Sequence, residues 1–199
     1  MIKEKHMKTV LIIGGSHRRK GHTNDIINWL EGLLVSKNFA VERLDVNQLH
    51  IEHCLDCGHC RKHFGSCVIA DDMKKVYNAL KTYDNIIFAS PVYFNSVSSK
   101  LKVLIDRCQM IFMCDFAHQT PYRTHPGKGA IISVAGAKFY PNQFIGSELT
   151  IGLVYKNLNL TLTEHMKISN TDDVSYHMRQ KEIEKELQAF VGGFDDTQA

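Results

Sequence analysis

The stretch "TVLIIGGSHRRKGHTNDIINWLEGLLVSK", residues 9–37, decides how the chain folds. Thr9–Ile13 is a short, unbroken apolar run of β-formers, the pattern of a strand buried on both faces. A polar, Gly-containing loop follows. Then Ile26, Ile27, Leu30, Leu33 and Leu34 recur along one helical stripe. Outward from this unit the alternation repeats. Ala40–Val46, Asn85–Ser90 and Gly129–Ala135 read as further strands, and Leu158–His165 alternates apolar and polar residues as a sheet edge does. Helical patterns fill the gaps: 71–83, with Asp71 or Asp72 placed to cap it; Val97–Phe112 as one helix; 144–157; and a last one from near Ser175 to Gly192. Five strands alternating with five helices predict an α/β fold with a parallel sheet covered on both faces. Such sheets bind ligands beyond the carboxyl ends of their strands, where the strand order reverses.

The totals agree with a globular chain. At 199 residues, 44% hydrophobic and 23% charged, it suits one domain over 1–199 with a substantial core. A scattered net charge of +3 argues against nucleic acid as the main partner. The run Val10–Ile13 is too short for a signal peptide, and nothing approaches the roughly 20 apolar residues of a membrane span. The expectation is a soluble cytoplasmic protein with no membrane partner. Thiols stay reduced in that compartment, so clustered cysteines read first as metal-binding or redox-active.

Two loops stand out, after the first and third strands. Gly14–Asp25 combines Gly, Ser, Thr and Asn with Arg18, Arg19 and Lys20 just before a helix, a setting for a phosphate. It lacks the spacing of a dinucleotide fingerprint and of a Walker loop. In "SPVYFNSVSSKLKVLIDR", residues 90–107, Pro91 ends the strand. Tyr93 and Phe94 then offer planar faces, while Asn95 and Ser96 offer hydrogen bonds and a cap for the next helix. A phosphate loop and a ring-holding loop flanking one switch point favour flavin mononucleotide (FMN), although aromatics at a strand end also serve as core.

These motifs carry a resemblance. "GSHRRKGHT" looks like the GSxRxxGxT phosphate loop of the NAD(P)H-dependent FMN reductase family, and residues 90–107 are similar to its signature after the third strand. "CLDCGHCRKHFGSCVIADDM", residues 54–73, resembles that family's iron–sulfur flavoprotein branch. The resemblance covers most of residues 8–140. It implies a flavodoxin-like five-stranded sheet in the order 2-1-3-4-5, bound FMN, and a homodimer or homotetramer. It also implies that Ser16, Arg18, Thr23 and Asn24 hold the phosphate, with Gly21 shaping the loop. Pro91, Val92, Tyr93, Phe94, Asn95 and Ser96 would hold the ribityl chain and ring, and Ala135 and Gly136 would border the isoalloxazine.

The cysteines lie in a long segment, 47–70, between the second strand and its helix. Their spacing is Cys54-x2-Cys57-x2-Cys60-x6-Cys67. Connections of this kind usually take about 2–6 residues, so the length asks for a purpose. Three cysteines at two-residue gaps can wrap one corner of a 4Fe–4S cubane, with a later thiolate as fourth ligand. The last gap departs from the ferredoxin run. Unassembled thiols come next in rank. Zinc, with His53, His59 and His63 as alternative ligands, and a Cys57–Cys60 dithiol follow. Cys108 and Cys114 read as packing residues.

The functional expectation is an FMN-dependent oxidoreductase without a side-chain acid or base, its site shaped by Tyr93, Phe94 and Asn95. Either NAD(P)H or a ferredoxin-like donor would reduce it, and a small-molecule or protein acceptor would take the electrons. The alternatives are a non-enzymatic flavodoxin-like carrier, and a flavin reductase whose cysteines hold no cluster.

Overall fold

The computed structural model describes residues 7–174 and 176–194. In chain order the elements are β1 (Thr9–Gly14), α1 (His22–Ser36), β2 (Ala40–Asp45), a 3-10 turn (Val46–Gln48), α2 (His59–Lys62) and α3 (Met73–Thr82). There follow β3 (Asn85–Pro91), α4 (Ser99–Arg107), α5 (Gln109–His118), β4 (Gly127–Val134), α6 (Ile145–Asn157), β5 (Leu160–Ile168), a 3-10 turn (Tyr176–Arg179) and α7 (Gln180–Gly192). The strands form one parallel sheet in the order β2-β1-β3-β4-β5.

Each central strand feeds two cores, which is why its sequence is apolar without alternation. Leu11, Ile13, Ile86, Phe88 and Ile131 pack under α3, α4, α5 and α6. Val10, Ile12, Ile87, Ala89, Ala130 and Ile132 pack under α1 and α7. The α1 stripe buries Ile26, Ile27, Leu30 and Leu34 there, against Ile183, Leu187 and Val191 of α7. Full burial of a Leu, Ile or Val side chain contributes about 1.5–3 kcal/mol.

Several boundaries differ from the sequence expectation. The helix expected over Val97–Phe112 is two. Cys108 (ψ −2°) donates its N–H back to Ile105 at 2.9 Å, an i→i−3 bond that ends α4 while both halves keep their apolar positions buried. Ser98 caps α4, its Oγ accepting from Leu101 N, so Asn95 and Ser96 do not. At the sheet edge, Leu158 closes α6 and Asn159 turns left-handed (φ 54°), so β5 starts only at Leu160. Its pairing then skips Thr163 in a bulge that resets the alternation. The last α-helix begins at Gln180, after a 3-10 turn; Ser175, its expected start, lies outside the described residues. Among the described residues no helix is long and apolar enough to cross a membrane.

Candidate cofactor sites

A cavity of about 300 Å³ opens at the carboxyl ends of β1, β3 and β4. The loop after β1 contributes Ser16, Arg18, Gly21, His22 and Thr23; the end of β3 contributes Pro91, Val92 and Tyr93; β4 and the turn beyond it contribute Val134, Gly136 and Ala137. Thr171 and Asp172, after β5, complete the wall.

The loop after β1 is held by its own side chains. Asn24 donates to the carbonyls of Arg18 (2.5 Å) and Arg19 (3.1 Å), and its Oδ1 accepts from Arg43 Nη2 (3.0 Å). Asn24 therefore clamps the loop from behind and does not line the cavity. Ser16 Oγ accepts from Arg18 N at 3.2 Å. Gly21 turns the chain into α1 with φ +151°, a conformation other residues avoid. No side chain caps the first turn of α1, and Arg18, His22 and Thr23 line the cavity beside it, a setting suited to an anion.

After β3 the chain makes a two-residue turn. Tyr93 and Ser96 exchange backbone hydrogen bonds at 2.9 and 3.0 Å, with Phe94 (φ 47°) and Asn95 (φ 60°) both left-handed at its tip. Tyr93 stays on the cavity wall, tilted against the His17 ring. Phe94 points fully into solvent. Asn95 turns away: its carbonyl accepts from Gly146 N (2.9 Å) and its Oδ1 from the Tyr140 hydroxyl. Of the six residues expected from Pro91 to Ser96, the first three line the cavity and the last three build the turn that carries them. Ala135 lies buried behind Gly136. A Cβ on Gly136 would run into the Asp172 carboxylate, which would have to swing aside. Thr171 and Asp172 were missed in the sequence; a polar "NTDD" after an edge strand carries no motif, and only the sheet order brings it here.

The cysteine segment packs against α4 and α5, with Ile51, Cys60 and Cys67 on the core. It leaves and re-enters the fold at one neck, where Asp72 N donates to His50 O (3.1 Å) and His50 N to the Asp72 carboxylate (2.7 Å). Inside, Cys54, Cys57, Cys60 and Cys67 all line one cavity of about 260 Å³, closed by Arg107, Met110 and Met113 from α4 and α5. All six cysteines of the chain are free thiols, and Cys108 and Cys114 are buried in the core. Burial pushes the Cys60 thiol above its usual range, and the neighbouring Cys54, Cys67 and Cys57 reinforce this.

The bracket for this segment is Arg107, almost wholly buried. It holds Asp71 with two hydrogen bonds (2.6 and 3.2 Å), donates to Glu52 O (2.8 Å), and reaches Cys67 Sγ with Nη2 (3.5 Å). Burial alone would raise the Asp71 carboxyl. The Arg107 bonds, with backbone donors from Glu52 and Met73, outweigh it and hold the carboxyl below its usual range. Asp71 also accepts from Met73 N, so it caps α3 as well.

Among the described residues no three His, Cys, Asp or Glu side chains converge on a point that could hold a metal ion. Four thiols line the cavity, and His59 lines it with them.

The family model for NADPH-dependent FMN reductase matches residues 7–140. An iron–sulfur flavoprotein of Methanocaldococcus jannaschii is 37% identical over 99 residues, 50% of each chain. One from Archaeoglobus fulgidus is 32% identical over 130 residues, 65% of this chain and 56% of that one. The chain thus spans about half the length of these curated relatives. Among solved structures, an NAD(P)H:quinone oxidoreductase from Methanothermobacter marburgensis superposes with a TM-score of 0.74 at 14% identity, covering 92% of this chain and 94% of that one. An FMN-dependent NADH-azoreductase from Bacillus anthracis, in complex with FMN, gives 0.66 at 10%, covering 94% and 98%. Likeness at these identities concerns the fold.

Proposed function

We propose, since the chain belongs to the NADPH-dependent FMN reductase family, that the cavity at the strand ends holds FMN and that the protein is an oxidoreductase. The reading rests on one observation: residues from four separated segments, 16–23, 91–93, 134–137 and 171–172, wall a single cavity at the reversal of strand order. Ser16, Arg18, Thr23 and the first turn of α1 receive the phosphate, in a loop set by Gly21 and Asn24. Pro91, Val92 and Tyr93 follow the ribityl chain and ring, carried by the Phe94–Ser96 turn, and Gly136, backed by Ala135, borders the ring. FMN bound there would accept a hydride at N5 and pass electrons on singly or in pairs. The protein's part would be to hold the phosphate and seat the ring at the strand ends beside Tyr93. NAD(P)H or a ferredoxin-like protein is the donor, and a small molecule or protein the acceptor.

The four thiols around the second cavity support a 4Fe–4S cluster on Cys54, Cys57, Cys60 and Cys67, whose chemistry is one-electron transfer. The apolar stripe Ile145, Leu149 and Leu153, exposed along α6, supports a homodimer or homotetramer. Leu149→Glu is expected to lower the mass seen by light scattering.

The deciding measurement is an absorption spectrum of protein purified without oxygen, before and after dithionite, followed by NADH or NADPH with a quinone. Flavin bands over a reducible iron–sulfur shoulder support both cofactors. Flavin bands alone remove the cluster and leave the reductase. No flavin, with none taken up on adding FMN, overturns the proposal.

A further inference from the structure

We propose that Arg107 is a positioning residue for the cysteine cavity and that its N–H···S contact to Cys67 raises the reduction potential of the cluster. The inference rests on the reading that Cys54, Cys57, Cys60 and Cys67 hold one. Burying a guanidinium is costly, and such a charge is normally matched on every side. Here Nη1 is satisfied by Asp71 and Glu52, while Nη2 divides between Asp71 and the Cys67 sulfur. Nε is buried with no hydrogen-bond partner. An arginine serving only to tie the loop to α3 would have no need to present a donor to the thiol. The break of the helix at Cys108 ends α4 on Arg107 and leaves this side chain on the cavity wall beside Met110.

The physical consequence has a sign. Reduction adds one negative charge to a cluster and its thiolates. A cation and an N–H donor at one sulfur favour the more negative state and raise the potential. The Asp71 carboxylate, bonded to the same guanidinium, opposes this at longer range. Removing the cation and removing the anion must therefore move the potential in opposite directions. Loosened packing would not do that, because either change unpairs the same buried bridge and loosens the same loop.

The test uses full-length protein reconstituted with iron and sulfide without oxygen, with the cluster potential read by an electron paramagnetic resonance redox titration. Arg107→Gln is expected to shift the potential down and Asp71→Asn to shift it up. The double variant R107Q/D71N, a neutral pair, is expected to lie below Asp71→Asn. If Arg107→Gln does not fold, the double variant against Asp71→Asn isolates the guanidinium, because both proteins carry the same neutral amide in place of the carboxylate. Shifts of the same sign in the two single variants, or equal potentials for the double variant and Asp71→Asn, overturn the inference while leaving the cluster in place. A wild-type chain that assembles no cluster overturns the inference together with the reading beneath it.

Discussion

The flavin cavity and the cysteine cavity are built on opposite plans. The first is a property of the sheet: four short segments end where strands end, and their positions follow from the pairing of β1 with β3 and β3 with β4. The second follows the edge strand β2 and is held by a buried ion pair, by Ile51, Cys60 and Cys67 packed against the core, and by His118 on the Cys60 carbonyl. A site made of strand ends inherits its rigidity from the core, and its side chains are free to specialise in binding. A site made of an excursion has to carry its own scaffold, so its binding groups and its structural groups are interleaved.

That contrast can be broken most directly at Arg107. Arg107→Leu leaves Asp71 buried without its cation, and unfolding in urea is expected to show a loss of about 3–5 kcal/mol. Arg18→Ala should do the reverse. It leaves the unfolding midpoint of the FMN-free protein almost unchanged and weakens FMN binding more than tenfold, about 1.5–3 kcal/mol, read by fluorescence titration. Equal stability losses in the two variants would erase the distinction. A smaller effect sharpens it: Ser98 caps α4 and also donates to Gly15 O at 2.6 Å, tying the β1 loop to the β3 loop. Ser98→Ala should lose about 1 kcal/mol of stability and weaken FMN binding together, because that residue serves scaffold and site at once.

Acid should separate the two regions most gently. The Asp71 carboxyl titrates below its ordinary value of 3.8 in the folded chain. Its contribution is fully present above that value and fades as pH falls from there through the folded one. Below about pH 4, hydrogen exchange in residues 47–72 should therefore rise before exchange in β1 and β3 does.

The sequence carried the sheet almost entirely, because a strand buried on both faces advertises itself as an unbroken apolar run, as Val10–Ile13 and Ile86–Ala89 do. The grouping of Ser16, Arg18, Gly21 and Thr23 on one cavity wall was legible for a similar reason: they are close in the chain, so their spacing is the motif. It carried the orientation of single side chains poorly. Phe94 and Asn95 looked like ring contacts, yet two consecutive left-handed residues place one in water and the other on Tyr140. Asp172 and Arg107 were beyond reach for another reason. Each meets its partner across many residues, Gly136 in one case and Asp71 and Cys67 in the other, and no local pattern records such a meeting. Arg107 in particular reads as the polar position of an amphipathic helix, although it is buried on the cavity wall.

The neck at His50 and Asp72 has a consequence for how such a protein changes over time. Because the chain departs and returns through one pair of residues, a change of length within the excursion need not alter strand order, and loop-closure entropy grows only slowly with length. Asp71 lies inside that excursion, so a lineage that shed the whole segment would have to replace Arg107 as well, since its buried guanidinium would lose its partner.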